Sequence, residues 1–230
     1  MSIDDLVKLI DSLTRLLGAL VWPVVLAYTL VRFGPSLKEF FARLGELSLK
    51  GGGFEATVKS QKAEATSALV AAAVSRPDAA TTPQSVARDA KEAADVVTET
   101  VNAQTIRLTR GATILWVDDN PNNNTYERQS LEALGVSFVL ATSTDEALTK
   151  IATRKFDVII SDMGRPPDAH AGYTLLEKLR AWGNQTPFVI YSGSNAPEDK
   201  AEARRRGAIN CTNRASELFL YVLTALSSGS

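Results

Sequence analysis

The sequence predicts an α/β fold: a doubly wound parallel sheet of five β/α units over residues 111–230, preceded by an N-terminal transmembrane helix (1–34) and a helical linker (35–110). Three observations predict it. From residue 112 onward the apolar runs "TILWV", "VSFVLA", "DVIIS", "PFVIYS" and "AINCT" are each followed by a segment of helical period. Residues 60–110 turn Ala- and Thr-rich around the proline-bearing "SRPDAATTPQS", which reads as a linker between two helices. Near the N-terminus, Leu16–Val31 carries no charge at all.

That uncharged run, "LLGALVWPVVLAYTLV", covers roughly 24 Å as a helix, and Leu13–Phe33 reaches about 31 Å if Arg15 and Arg32 turn their charges toward the head groups. The longer span matches a hydrocarbon core, with a buried soluble helix as the competing reading. Pro23 would kink such a helix without abolishing it. "MSIDD" is acidic where a cleaved leader needs basic residues. Lys8 and Arg15 precede the run, whereas Arg32, Lys38, Arg43 and Lys50 come after it. The positive-inside rule then expects a single-pass inner-membrane protein with its C-terminal part in the cytoplasm.

Residues 35–48 place Leu37, Phe40, Phe41, Leu44 and Leu47 at helical spacing, suiting a membrane surface or a partner helix. "LSLKGGGFEATVKS" suggests a small hairpin around its three glycines. "AEATSALVAAAV" and "SVARDAKEAADVVTETVNAQTIRL" read as helices. In the second, Val86, Ala90, Ala93, Val97 and Thr100 form a seam that either pairs two protomers as a homodimer or is a weakly packed tether.

In the C-terminal half, Ser143 and Glu146 are placed to form a capping box at the second helix of that half. The last helix, "ASELFLYVLTAL", has one strongly apolar face. The balance of 25 basic and 26 acidic side chains leaves a net charge of −1, which gives no global field for recruiting nucleic acid. The single cysteine, Cys211, excludes an internal disulfide.

Functional groups of a parallel α/β sheet gather at the carboxyl ends of its strands. Here the first strand ends in Asp118–Asp119, the third in Asp162 and the fourth in Ser192. Carboxylates sharing a pocket repel one another unless a hard divalent cation sits among them, which makes Mg2+ the expected cofactor. His170, the only histidine, has no matching ligand cluster. Arg204, Arg205 and Arg206 read as a solvated helix end, Cys211 as a small buried residue, Trp116 and Trp182 as packing residues, and the "NPNNN" run first as loop chemistry.

Over residues 112 to about 228 the chain resembles the receiver domain of two-component response regulators, a flavodoxin-like (βα)5 fold. The acid pair Asp118–Asp119, Asp162 after strand three, Ser192–Gly193 after strand four and a cation, Arg214, after strand five carry the resemblance. It implies that Asp162 is the phosphoacceptor, taking phosphorus from the phosphohistidine of a histidine kinase or phosphotransfer protein. It also implies Mg2+ on Asp118, Asp119, Asp162 and the Gly164 carbonyl. Ser192, Gly193 and Arg214 would receive the phosphoryl group, and output would run through protein contacts around the receiver's fourth helix, fifth strand and fifth helix. There are two departures from the family pattern: Arg214–Ala215 replaces Lys–Pro, and Cys211 stands where an aromatic switch residue is usual. A phosphorylation-independent scaffold is therefore one rival. A phosphatase of the haloacid dehalogenase type is another, but it wants a DxD motif that "DDNPN" lacks.

Overall fold

The computed structural model of the chain describes residues 53–75 and 82–228, and Thr57–Ser230 is one compact unit. The expected spanning helix and amphipathic segment lie outside the described residues. Among the described residues, no helix is long and apolar enough to cross a membrane.

Three helices precede the sheet: α1 (Gly53–Ser75), α2 (Pro83–Thr100) and α3 (Ala103–Thr109). The hairpin expected around the glycines is corrected from Gly53 onward, where the backbone is helical. Ala, Glu, Lys and Gln dominate the residues beyond Gly53, and these side chains lose little freedom in a helix. Helix α2 opens on Thr82, whose side chain accepts from the Ser85 amide while Ser85 Oγ accepts from the Thr82 amide. The single helix expected through "VNAQT" is interrupted at Val101. Asn102 starts α3, its Oδ1 accepting from the amides of Gln104 and Thr105 at 2.8 and 3.1 Å.

The sheet holds β1 (Thr113–Val117), β2 (Ser137–Ala141), β3 (Val158–Ser161), β4 (Phe188–Tyr191) and β5 (Asn210–Thr212), all parallel in the order β2-β1-β3-β4-β5. Helices α4 (Thr125–Glu132), α5 (Thr144–Thr153), α6 (Ala171–Ala181), α7 (Pro197–Arg205) and α8 (Ala215–Ser228) complete the five units. The strand order reverses between β1 and β3. Connections from these neighbours leave in opposite directions and open a crevice at their carboxyl ends.

Alternation along the strands divides the core. Ile114, Trp116, Val158, Ile160, Val189 and Tyr191 face one side with Leu131, Leu218, Phe219 and Val222. Leu115, Val117, Ile159, Phe188, Ile190 and Cys211 face the other with Ala147, Leu175, Leu176, Leu179 and Ala203. The first cluster continues into the N-terminal helices through Ala65, Leu69, Ala72, Ala93, Val97, Val101 and Ile106, all buried. The packing of the described residues from Thr57 onward forms one unit. Ala93 and Val97 of the expected seam find their partners within this chain. Alanines let helices approach closely, and burying Leu69, Val97 and Ile106 contributes about 1.5–3 kcal/mol apiece.

Candidate functional site

Strand register builds the site. Val117 of β1 pairs with Ser161 of β3, so the next residues, Asp118 and Asp162, leave adjacent strand tips side by side. Their backbones are tied into the sheet ends: the Asp162 amide donates to Val117 O at 3.0 Å and the Asp118 amide to Ala141 O at 2.9 Å. With Asp119 they form a cluster in which one ligand oxygen from each residue lies within 4.8 Å of the others.

The turn after β1 orients Asp118. One carboxylate oxygen accepts from the Asn120 amide at 2.7 Å and the other from Asn124 Nδ2 at 2.6 Å. Asn124 is fully buried at the end of a short 3-10 turn, Pro121–Asn124. The asparagine run is therefore more than loop chemistry: it forms part of the scaffold of the acid pocket.

Asp162 is half-buried, and burial pushes its carboxyl up to about 7, against the opposing pull of Arg165 and with the added push of Asp118 and Asp119. Its main chain is pressed against helix α6. A Cβ on Gly172 would stand 2.5 Å from Asp162 O, and the Gly172 amide donates to Met163 O at 2.9 Å. Only glycine fits there. Gly164, in the same turn, is exposed and lies close to the Ala169 carbonyl.

The residue missed by sequence reasoning is Arg165. Only 3% exposed, it forms an ion pair with Asp162 Oδ1. Nη1 also donates to Ser161 Oγ at 2.8 Å, and Nη2 to Thr144 Oγ1 at 3.1 Å. Backbone hydrogen bonds between Arg165 and Asp168, at 2.9 and 2.7 Å, close the loop that carries it. An arginine between a glycine and two prolines reads as a solvated loop residue; only its spacing of three from Asp162 hinted otherwise.

On the β4 and β5 side, the Ser192 amide donates to Thr212 O at 3.0 Å, and Ser192 Oγ lies 3.3 Å from the buried Cys211 Sγ. Burial pushes the Cys211 thiol up. Gly193 is exposed, and a Cβ there would meet no atom within 4 Å. Arg214 is directed elsewhere. Its Nη2 lies 2.7 Å from Glu92 Oε2 and 3.2 Å from Asp89 Oδ1, both on α2, while Ser216 Oγ donates to Glu92 Oε1 at 3.0 Å. The structure thus brings Asp118, Asp119 and Asp162 together but engages Arg214 with the N-terminal helices. The physical reason is local: α2 presents two carboxylates to the start of α8, and no ion pair joins Arg214 to the three acids. His170 is exposed, its amide donating to Asp168 Oδ1.

Three hard carboxylate oxygens at this spacing suit Mg2+, which prefers oxygen ligands and keeps several waters. A cation there would also relieve the repulsion that, with burial, holds Asp162 partly protonated.

Residues 114–215 match the family described as the response regulator receiver domain. A gliding motility regulatory protein of Myxococcus xanthus is 31% identical over 97 residues, covering 41% of this chain and 12% of that protein. The KDP operon transcriptional regulatory protein of Escherichia coli is 32% identical over 95 residues, 41% of either chain. The chain therefore spans less than half the length of these curated relatives. Among solved structures, the Francisella response regulator 1452 receiver domain aligns with a TM-score of 0.48 at 26% identity, covering 52% of this chain and 100% of that one. Strand tips that gather an acid pair and a third aspartate, within a segment matching that family, make residues 114–215 a response regulator receiver domain.

Proposed function

We propose that this domain accepts a phosphoryl group on Asp162 from the phosphohistidine of a histidine kinase or phosphotransfer protein and signals through protein contacts. The observation that carries the reading is the convergence of Asp118, Asp119 and Asp162 within 4.8 Å at the β1/β3 crevice. An Asp162 carboxylate oxygen attacks phosphorus, a P–O bond forms, the P–N bond to the donor imidazole breaks, and the imidazole nitrogen keeps the electron pair. Asp118, Asp119, Asp162 and the Gly164 carbonyl would hold Mg2+, which supplies neutralisation of charge on the phosphoryl oxygens. Asn124 and the Asn120 amide keep Asp118 oriented toward the cluster. Ser192 offers a hydroxyl to the incoming oxygens in exchange for its contact with Cys211.

A phosphorylation-independent scaffold is the second reading, favoured by one observation: the acceptor carboxylate already has a cationic partner in Arg165. Acetyl phosphate with Mg2+ separates the two. Under the first reading, a phosphate-affinity gel shows a shifted band that disappears in Asp162→Ala; under the second, no band shifts although the protein is folded and binds Mg2+.

Membrane attachment through residues 1–34 is the remaining part of the proposal, supported by the uncharged run Leu16–Val31. The full chain is then expected to stay with the membrane fraction through carbonate washing. Release into the supernatant would remove the anchor.

A further inference from the structure

We propose that Arg165, and not the cation after β5, is the counter-cation of the acceptor site: it neutralises Asp162 before transfer and holds the phosphoryl oxygens afterwards. The inference rests on Asp162 being the acceptor.

Charge balance demands such a group. Three carboxylates meet at the strand tips, a divalent ion offsets two of them, and phosphorylation adds roughly −1.5 to −2 more. One further fixed cation is needed beside the phosphoryl oxygens. Two arginines are candidates, and the structure separates them. Arg214 is occupied by Glu92 and Asp89 of α2, and Ser216 holds Glu92 in place from the same side. Releasing it would break both of these ion pairs.

Arg165 already touches the acceptor oxygen. Its guanidinium is fixed from two elements, by Ser161 at the end of β3 and Thr144 at the start of α5, and its loop is closed by the paired backbone bonds to Asp168. Little rotamer freedom remains to be lost when phosphate arrives. The third observation is Arg165 Nε: it is buried and has no hydrogen-bond partner. Buried N–H donors are nearly always satisfied, so this one leaves the guanidinium with hydrogen-bonding capacity that the protein itself does not use. A phosphoryl group presents three such oxygens, and arginine's planar fork receives them in pairs. Because Nη1 now sits on Asp162 Oδ1, the same guanidinium competes with Mg2+ for that carboxylate in the resting protein.

The test uses the full chain, with beryllofluoride at saturating Mg2+ as the phosphoryl mimic, and Mg2+ alone in a separate titration. Arg165→Gln is expected to weaken beryllofluoride binding by about tenfold or more, the loss typical of a charged hydrogen bond, while Mg2+ binding stays equal or tightens. Arg165→Lys, which keeps the charge and loses the fork, should fall between Gln and the parent. Arg214→Gln should bind beryllofluoride as the parent does. Should Arg165→Gln fail to fold, Arg165→Lys decides: parental affinity overturns the proposal and weakened affinity at unchanged Mg2+ binding supports it. Parental affinity in a folded Arg165→Gln, or loss in Arg214→Gln instead, also overturns it. A parent chain that takes neither beryllofluoride nor phosphate from acetyl phosphate fails at the acceptor reading itself. A labelled parent with an indifferent Arg165→Gln fails at Arg165 alone.

Discussion

In the proposed acceptor role, Asp162 would carry opposing demands, buried enough to be a selective nucleophile yet charged enough to bind a cation. Burial holds its carboxyl up at about 7, so the folded protein binds its proton more tightly than the unfolded chain does. In the presence of a chelator, this group's contribution to stability is therefore complete below the ordinary carboxylate value of about 3.8 and is lost as pH rises through about 7. Thermal melts in chelator are expected to show a fall in Tm between about pH 4 and 7 that is flatter in Asp162→Asn, and Mg2+ should restore stability at the upper end of that range. A glycine pair gives a second check at this scale. Gly172→Ala would drive a methyl into the Asp162 carbonyl, costing about 1–3 kcal/mol and weakening Mg2+ binding. Gly193→Ala meets open space and should leave folding unchanged. Denaturant titrations of the two variants compare these directly.

The legibility of individual residues differed for reasons of direction. Asp118, Asp119 and Asp162 were readable because strand periodicity fixes where a strand tip lies, and the chemistry comes with the position. Arg165 and Arg214 are two cations whose long side chains can turn several ways, and position alone does not say which way. Arg214 turned to the carboxylates of α2, and Arg165 turned into the sheet end.

At the scale of elements, β1, β3 and β4 were legible because they are buried on both faces and so appear as consecutive apolar residues. The start of α1 and the break before α3 were not, since three glycines resemble a turn and a single asparagine cap at Asn102 hides inside a helical pattern. Helix α5 shows a cap that differs in detail from its expectation. Ser143 Oγ accepts from the Glu146 amide, but the Glu146 carboxylate reaches one residue further, to the amide and hydroxyl of Thr142 at 2.7 and 3.0 Å. The Lys150 ammonium and these Thr142 bonds hold the Glu146 carboxyl down at about 2. Its stabilising effect is therefore present above the ordinary value of about 4.5 and is lost as pH falls toward about 2. Glu146→Gln is expected to shift the acid limb of a pH-stability curve while leaving its neutral plateau within about 1 kcal/mol, as caps and exposed pairs usually do. On the far side of the sheet, Glu217 of α8 would be pushed up by burial, but Lys200 of α7, Thr212 of β5 and Asn195 outweigh it and hold its carboxyl below the usual range. That cluster ties together the elements expected to carry output.

For the whole molecule, the larger departure from the sequence reading concerns the N-terminal helices. The first Ala-rich segment gives no amphipathic signal, yet its Ala65, Leu69 and Ala72 join the same buried cluster as α8, against which α2 and α3 pack. Packing, rather than the partly exposed Arg214 ion pairs, holds them: surface pairs contribute about 0–1 kcal/mol, whereas Leu69→Ala should cost about 2–5 kcal/mol. A fragment beginning at residue 111 would expose the part of the core cluster that Leu69, Val97 and Ile106 complete, and should melt well below the 57–230 unit or self-associate in sedimentation. The central claim concerns the acid cluster on which all of this converges. Its most direct measurement is incorporation of phosphate from acetyl phosphate and Mg2+ into the full chain, with mapping of the modified residue: hydroxylamine-labile label on Asp162 that vanishes in Asp162→Ala is the predicted result, and a folded, Mg2+-binding protein that takes up no label would contradict it.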